Sequence, residues 1–205
     1  MYKIVPLLLL LLAGCNSNNS SKTTTTIEIE SQKNIVDNFS KQNSAWRVKS
    51  GSWSFENGVV KQSATDKKFP LILLEKEKLS NLDISVKFKP ISGNIDASGG
   101  VVFRARDKNN YFIVRANALE NNFRLYTFKS GHRAEIASAT VIAPKLGQFN
   151  TIRVVAKGEH IQAYLDGKLY IDHNDSSFSK GYIGLWTNAD SVTEFDDLTI
   201  KSGDK

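Results

Sequence analysis

Cysteine is almost absent from this chain: Cys15 is the only one in 205 residues. An intramolecular disulfide, a Cys-rich zinc site and a CxxC redox pair are therefore all excluded. The three histidines, His132, His160 and His173, are too widely spread to form a local metal-binding motif. Four prolines and thirteen glycines are too few for a fibrous or low-complexity chain. No apolar run is long enough to cross a bilayer, since the longest, Ile4 to Leu12, is about half of the ~20 residues a spanning helix needs. Also missing are a GxSxG nucleophile elbow, an HExxH zinc motif and a glycine-rich phosphate loop. No segment sustains an amphipathic helical period with caps at both ends.

What is present begins with an address. MYKIVPLLLLLLAGC places a lone Lys3 before the apolar run and small residues after it, the three-part plan of a secretory signal. Leu12-Ala13-Gly14-Cys15 resembles the lipobox of bacterial lipoproteins, which implies cleavage before Cys15 and acylation of that residue. A domain with no other thiol also suits an oxidising compartment. Asn16, standing where such lipoproteins carry Asp when retained at the inner membrane, implies sorting to the outer membrane of the cell envelope. Residues 16–34, NSNNSSKTTTTIEIESQKN, are polar and aperiodic and read as a flexible tether to a folded domain at 35–205.

From Ile35 onward short runs of period two are separated by turn residues, so the sequence predicts an all-β protein. Glu56-Asn57-Gly58 and Asp166-Gly167 mark tight hairpins, because both residues of such pairs tolerate positive φ. Strands are expected over Leu82 to Phe88, Val101 to Arg106, Tyr111 to Ala118, Asn122 to Lys129, Asn150 to Ala156, Ile161 to Asp166, Lys168 to Asp172, Tyr182 to Thr187 and Thr193 to Lys201. About a dozen evenly spaced strands imply a two-sheet antiparallel sandwich. The segments DNFSKQNSAWRVKSGSWSFENGVVKQ, GGVVFRARDKNNYFIVRANALENNFRLY, IQAYLDGKLY and GYIGLWTNADSVTEFDDLTI resemble the concanavalin A-like, laminin G-type jelly roll. The opening W-x-V-x-x-G-x-W also resembles domains of the 3-keto-disaccharide hydrolase type, exported jelly rolls that cleave oxidised sugars.

Three consecutive central strands carry the candidate site. If Val101, Phe103 and Ala105 face the core, Arg104 and Arg106 point outward. By the same parity the next strand turns Tyr111, Ile113, Arg115 and Asn117 outward, and the third turns out Asn122, Arg124, Tyr126 and Phe128. The candidate ligand-binding set is Arg104, Arg106, Tyr111, Arg115, Asn117, Arg124 and Tyr126. Guanidinium forks, amides and aromatic rings suit a saccharide or an anionic chain, and a solvated sheet face built of good cross-strand pairs is the plain alternative. In concanavalin A-like folds the concave sheet is the usual carbohydrate-binding face, so the resemblance implies carbohydrate binding.

A glycosidic enzyme acting on oxidised or ordinary sugars from the same concave face, with Glu194 and Asp196 as candidate acid-base residues, is the rival reading. Glycosidases place two carboxylates about 5 to 9.5 Å apart, and Glu194 and Asp196, two apart in a strand, would lie about 6.7 Å apart on one face. The same stretch switches parity between Phe195 and Leu198, which predicts a bulge whose aspartates serve backbone donors or a structural cation. The acidic E-x-D-x-x-E strand of glycoside hydrolase family 16 is absent. A net charge of +6 is scattered along the chain, and nucleic acid is not an expected partner of an exported protein. Carbohydrate, including anionic polysaccharide, is the expected partner, with membrane contact only through the lipid anchor. No cofactor is indicated, and no metal site or catalytic residue is assigned.

Overall fold

In a computed structural model, residues 33–203 are described, and every regular element among them is a β-strand. The signal, the lipobox and Cys15 lie outside the described residues. In chain order the strands are β1 (Lys33–Asp37), β2 (Trp46–Ser50), β3 (Trp53–Glu56), β4 (Val59–Gln62), β5 (Leu71–Leu79) and β6 (Leu82–Ser92). There follow β7 (Ser98–Asp107), β8 (Asn110–Asn117), β9 (Asn122–Lys129), β10 (His132–Thr140), β11 (Asn150–Lys157), β12 (His160–Leu165), β13 (Lys168–Asn174), β14 (Gly181–Trp186) and β15 (Val192–Ser202). Lys33 and Asn34, read from the sequence as the end of the tether, belong to β1 and pair with Ser202 and Lys201.

The strands form two antiparallel sheets. The first is ordered β13-β12-β11-β6-β15-β4-β3, with β1 also pairing β15, and the second β10-β9-β8-β7-β14-β5-β2. Alternation decides which side chains lie between them. Ile84, Val86 and Phe88 on β6 and Ile152 and Val154 on β11 meet Val101 and Phe103 on β7, Phe112 and Val114 on β8, and Phe123 and Leu125 on β9, all essentially inaccessible. Burying each such side chain contributes about 1.5–3 kcal/mol. Both anticipated hairpin turns form, with φ of 53° and 75° at Asn57-Gly58 and 48° and 80° at Asp166-Gly167. The anticipated bulge in β15 is also present: its pairing with β6 shifts between Asp196 and Thr199, Asp197 has φ 49°, and Phe195 and Leu198 both enter the core.

A second bulge corrects the sequence reading. In β7 the pairing with β8 is lost between Phe103 and Asp107, and Arg104 takes φ 51°. Parity therefore flips at Arg104, so Ala105 packs on the outer face of the sheet instead of in the core between the sheets. The Arg104 side chain, 1% exposed, turns to the edge of the sandwich, where Nε donates to Ser80 O (3.0 Å) and Nη1 to Phe178 O (3.2 Å).

Candidate functional site on the outer face of the second sheet

Strand register lays out the outer face in rows. Trp186, Gly100, Arg115 and Arg124 are cross-strand neighbours, as are Gly184, Val102, Ile113, Tyr126 and Glu135. Tyr111, Phe128 and Arg133 make the third row. The floor is a second apolar cluster, in which Leu71, Leu73, Val102, Ala105, Tyr111, Ile113, Tyr126, Phe128 and Trp186 are all buried. A solvated sheet face would not bury this much aromatic surface. Tyr111 stacks on Phe128 with ring centroids 4.4 Å apart, and Phe69, entering from the segment before β5, lies over both Phe128 (5.0 Å) and Trp186 (5.8 Å). Burial pushes the Tyr111 hydroxyl far up, and the nearby Trp186 indole and Arg133 charge offset only part of that shift.

On this floor stands a ring of alternating charge around Tyr126. Arg115, 3% exposed, donates from Nη2 to Glu120 Oε2 at 2.9 Å and to the Tyr126 hydroxyl at 3.4 Å. Arg124 donates from Nη1 to the same hydroxyl (3.3 Å) and pairs through Nε with Glu135 Oε2 at 3.2 Å. Asn122 Nδ2 donates to Glu120 Oε2 at 2.7 Å, and the Arg133 guanidinium lies between the Tyr126 ring (4.8 Å) and the Phe69 ring (5.1 Å). Burial would raise the Glu120 carboxyl, but hydrogen bonds from Asn122 and Arg115 and the charges of Arg115 and Arg124 together hold it below the usual value. The Arg124 guanidinium is held above its usual value, first by the Tyr126 hydrogen bond. Two donors of Arg115, Nε and Nη1, are buried without a protein acceptor. A buried donor left unmet costs about 1–3 kcal/mol, so holding Arg115 in this place is a cost to the fold.

Of the residues singled out from sequence, Tyr111, Arg115, Arg124 and Tyr126 share this face. Asn117 adjoins it at the end of β8, but its Oδ1 accepts from the amides of Ala97 (3.1 Å) and Leu119 (3.0 Å), which fixes the neighbouring loops. Arg104 and Arg106 are not brought to it: Arg104 serves the β7 bulge, and Arg106 leans over the Phe178 ring at 5.2 Å. Glu120, Arg133 and Glu135 complete the ring and were not singled out from the sequence. The signal for Arg133 and Glu135 was their place in the strand paired to β9, hidden because β10 is an exposed edge strand with a register shift between Glu135 and Ala137.

Glu194 and Asp196 lie on the outer face of the first sheet, across the sandwich from this ring. Glu194 sits between Lys89 (2.6 Å) and Lys61 (3.9 Å), and Asp196 accepts the amide of Asp197 at 2.6 Å within the bulge. The reading that placed this pair on the same face as the arginines is thereby corrected. Among the described residues, no group of three or more His, Cys, Asp or Glu side chains converges as metal ligands would.

A jelly-roll sandwich bearing an aromatic, charge-ringed sheet face is the class these features define. The chain belongs to the family of 3-keto-alpha-glucoside-1,2-lyase-like domains, whose profile matches residues 33–201. It is 28% identical over 123 residues to a levanase of Bacillus subtilis, a match covering 58% of this chain and 17% of that much longer protein. Its backbone is similar to that of the carbohydrate-binding module CBM66 from Bacillus subtilis, with TM-score 0.71 and 24% identity over 77% of this chain and 96% of that one. A β-glucanase of Bacillus licheniformis shares the fold at TM-score 0.59 and 11% identity, over 82% of this chain and 97% of that one.

Proposed function

We propose that the protein is an exported carbohydrate-binding β-sandwich that holds a saccharide on the outer face of its second sheet. The observation that carries this reading is the alternation of Arg115, Glu120, Arg124 and Glu135 around Tyr126. Carboxylates accept from sugar hydroxyls and guanidinium groups donate to sugar oxygens, while the aromatic floor supplies flat apolar surface for ring faces. The similarity to a carbohydrate-binding module and to part of a levanase points to the same ligand class, with fructan and acidic polysaccharide as the first to try.

The test is a glycan array and titration calorimetry with levan, β-glucan and acidic polysaccharides. Loss of Arg124 as Arg124→Ala is expected to weaken binding by about 1.5–3 kcal/mol, roughly 10- to 150-fold. Unchanged affinity in an Arg115→Ala, Arg124→Ala double variant would remove this face from consideration.

Family membership favours a second reading, lyase chemistry on the same face. In a 3-keto glucoside the ketone acidifies the C2 proton. A carboxylate takes that proton, the electron pair forms the C1–C2 double bond, and the C1 oxygen leaves with its electrons and gains a proton. Glu120 and Glu135 are the accessible carboxylates beside guanidinium groups that would stabilise the enolate. Lipid attachment at Cys15, inferred from the lipobox resemblance, would hold the domain in the cell envelope at the outer membrane. Cys15→Ser is expected to move the protein from the membrane to the soluble fraction.

A further inference from the structure

A cavity of about 300 Å³ opens beside the charge ring, at the edge of the same face, and its lining differs from the ring in kind. Lys49, Lys67 and Lys68 border it from the β2 and β5 side, and Lys108 from the β7–β8 turn, over a floor of Phe69, Tyr111 and Phe128. These two borders belong to opposite ends of their strands. The Phe69 ring, edge-on to Phe128 at 5.0 Å, reaches across the floor between them.

Two of the four charges are answered by neighbours: Lys49 pairs with Glu75 at 2.8 Å and Lys67 with Asp66 at 3.0 Å. Lys68 and Lys108 have no carboxylate within ion-pair distance among the described residues; Lys68 lies over the Phe69 ring at 5.4 Å. The cavity therefore gathers four ammonium groups, two of them unpaired, around an apolar floor, a cluster of one sign of charge that draws anions.

We propose that this cavity receives the anionic substituent, carboxylate or sulfate, of an acidic saccharide whose neutral rings lie on the neighbouring charge ring. The inference rests on the saccharide-binding reading of that face. It goes further in dividing the face into a hydroxyl-recognising part and an acid-recognising part. Lysine suits the second role because its ammonium is a point charge that accepts a carboxylate or sulfate without a fixed fork geometry.

Titration calorimetry of the protein with oligogalacturonate, a sulfated dextran oligosaccharide and neutral dextran and levan oligosaccharides tests it. The acidic ligands should bind more tightly than the neutral ones, and that advantage should shrink as salt rises from about 0.05 to 0.5 M, when the screening length falls to a few ångström. A Lys68→Ala, Lys108→Ala double variant should lose about tenfold in affinity for whichever acidic ligand binds and none for a neutral one. Removing the same charge from the other sheet, as Lys157→Ala, Lys201→Ala, should change neither. The preferred acidic ligand identifies carboxylate or sulfate as the group taken. Acidic ligands bound no better than neutral ones, or equal losses in the two double variants, would overturn the cavity assignment and leave the saccharide-binding face standing. Failure of every glycan to bind would overturn both.

Discussion

Glu120 shows how a single residue ties the site to the stability of the fold. Its carboxylate accepts from both Asn122 and Arg115 and lies near Arg124. Burial alone would raise it, yet these partners leave it below its ordinary value of 4.5. The sign of the pH effect follows from which state takes up the proton first. Above the ordinary value the carboxylate is charged in the folded and the unfolded chain, and the pairing stabilises fully. As pH falls, the unfolded chain protonates first, and the stabilisation is lost through the lower folded value. The side chain is 40% exposed, so solvent screens the pair and the effect is small. Urea midpoints measured from about pH 5 to pH 3 are expected to fall more steeply in the native protein than in Glu120→Gln. Parallel slopes would show that Arg115 is held by its other contacts alone.

At the scale of elements, the β7 bulge separates what the sequence made legible from what it concealed. Alternation in β8 and β9 assigned the inward and outward residues as found, because these strands run without interruption: Phe112, Val114, Phe123 and Leu125 lie in the core, and Tyr111, Arg115, Arg124 and Tyr126 on the outer face. In β7 the same rule held only as far as Phe103. Nothing in FRARD announces a bulge, and the residue that flips parity is an arginine in a left-handed conformation normally left to glycine, asparagine or aspartate. β5 was missed for a different reason: its LILL run is buried on both sides and shows no period two. Across from the bulge, Gly181 is packed so closely that an added Cβ would lie 2.3 Å from the Arg104 carbonyl carbon and 2.4 Å from Ala105 O. Both are backbone atoms and cannot swing aside. Gly181→Ala is expected to destabilise the protein by about 1–3 kcal/mol in thermal or urea unfolding, and an undiminished melting temperature would mean that the bulge gives way freely.

At the scale of the whole molecule, the sandwich keeps two outer surfaces of different chemistry on opposite sides of one core. The first sheet exposes bases that are mostly answered by acids, including Glu194 between Lys61 and Lys89 and Asp172 beside His160. The second exposes a ring in which each carboxylate stands beside a guanidinium on a buried aromatic floor. A carboxylate can act on a substrate only from the side on which that substrate lies, so the position of the carboxylates separates the two enzyme readings. If the protein turns over a 3-keto disaccharide on the second sheet, Glu194→Gln and Asp196→Asn should leave turnover and glycan affinity at the native level. Glu120→Gln and Glu135→Gln, measured separately, should then identify the base as the variant that loses about 100-fold or more in kcat, the size expected for a lost general base. Loss of turnover in Glu194→Gln with binding intact would instead put the chemistry on the first sheet. Binding by both outer-face glutamate variants, with no turnover in the native protein, would leave the second sheet as a surface that holds its saccharide and returns it unchanged.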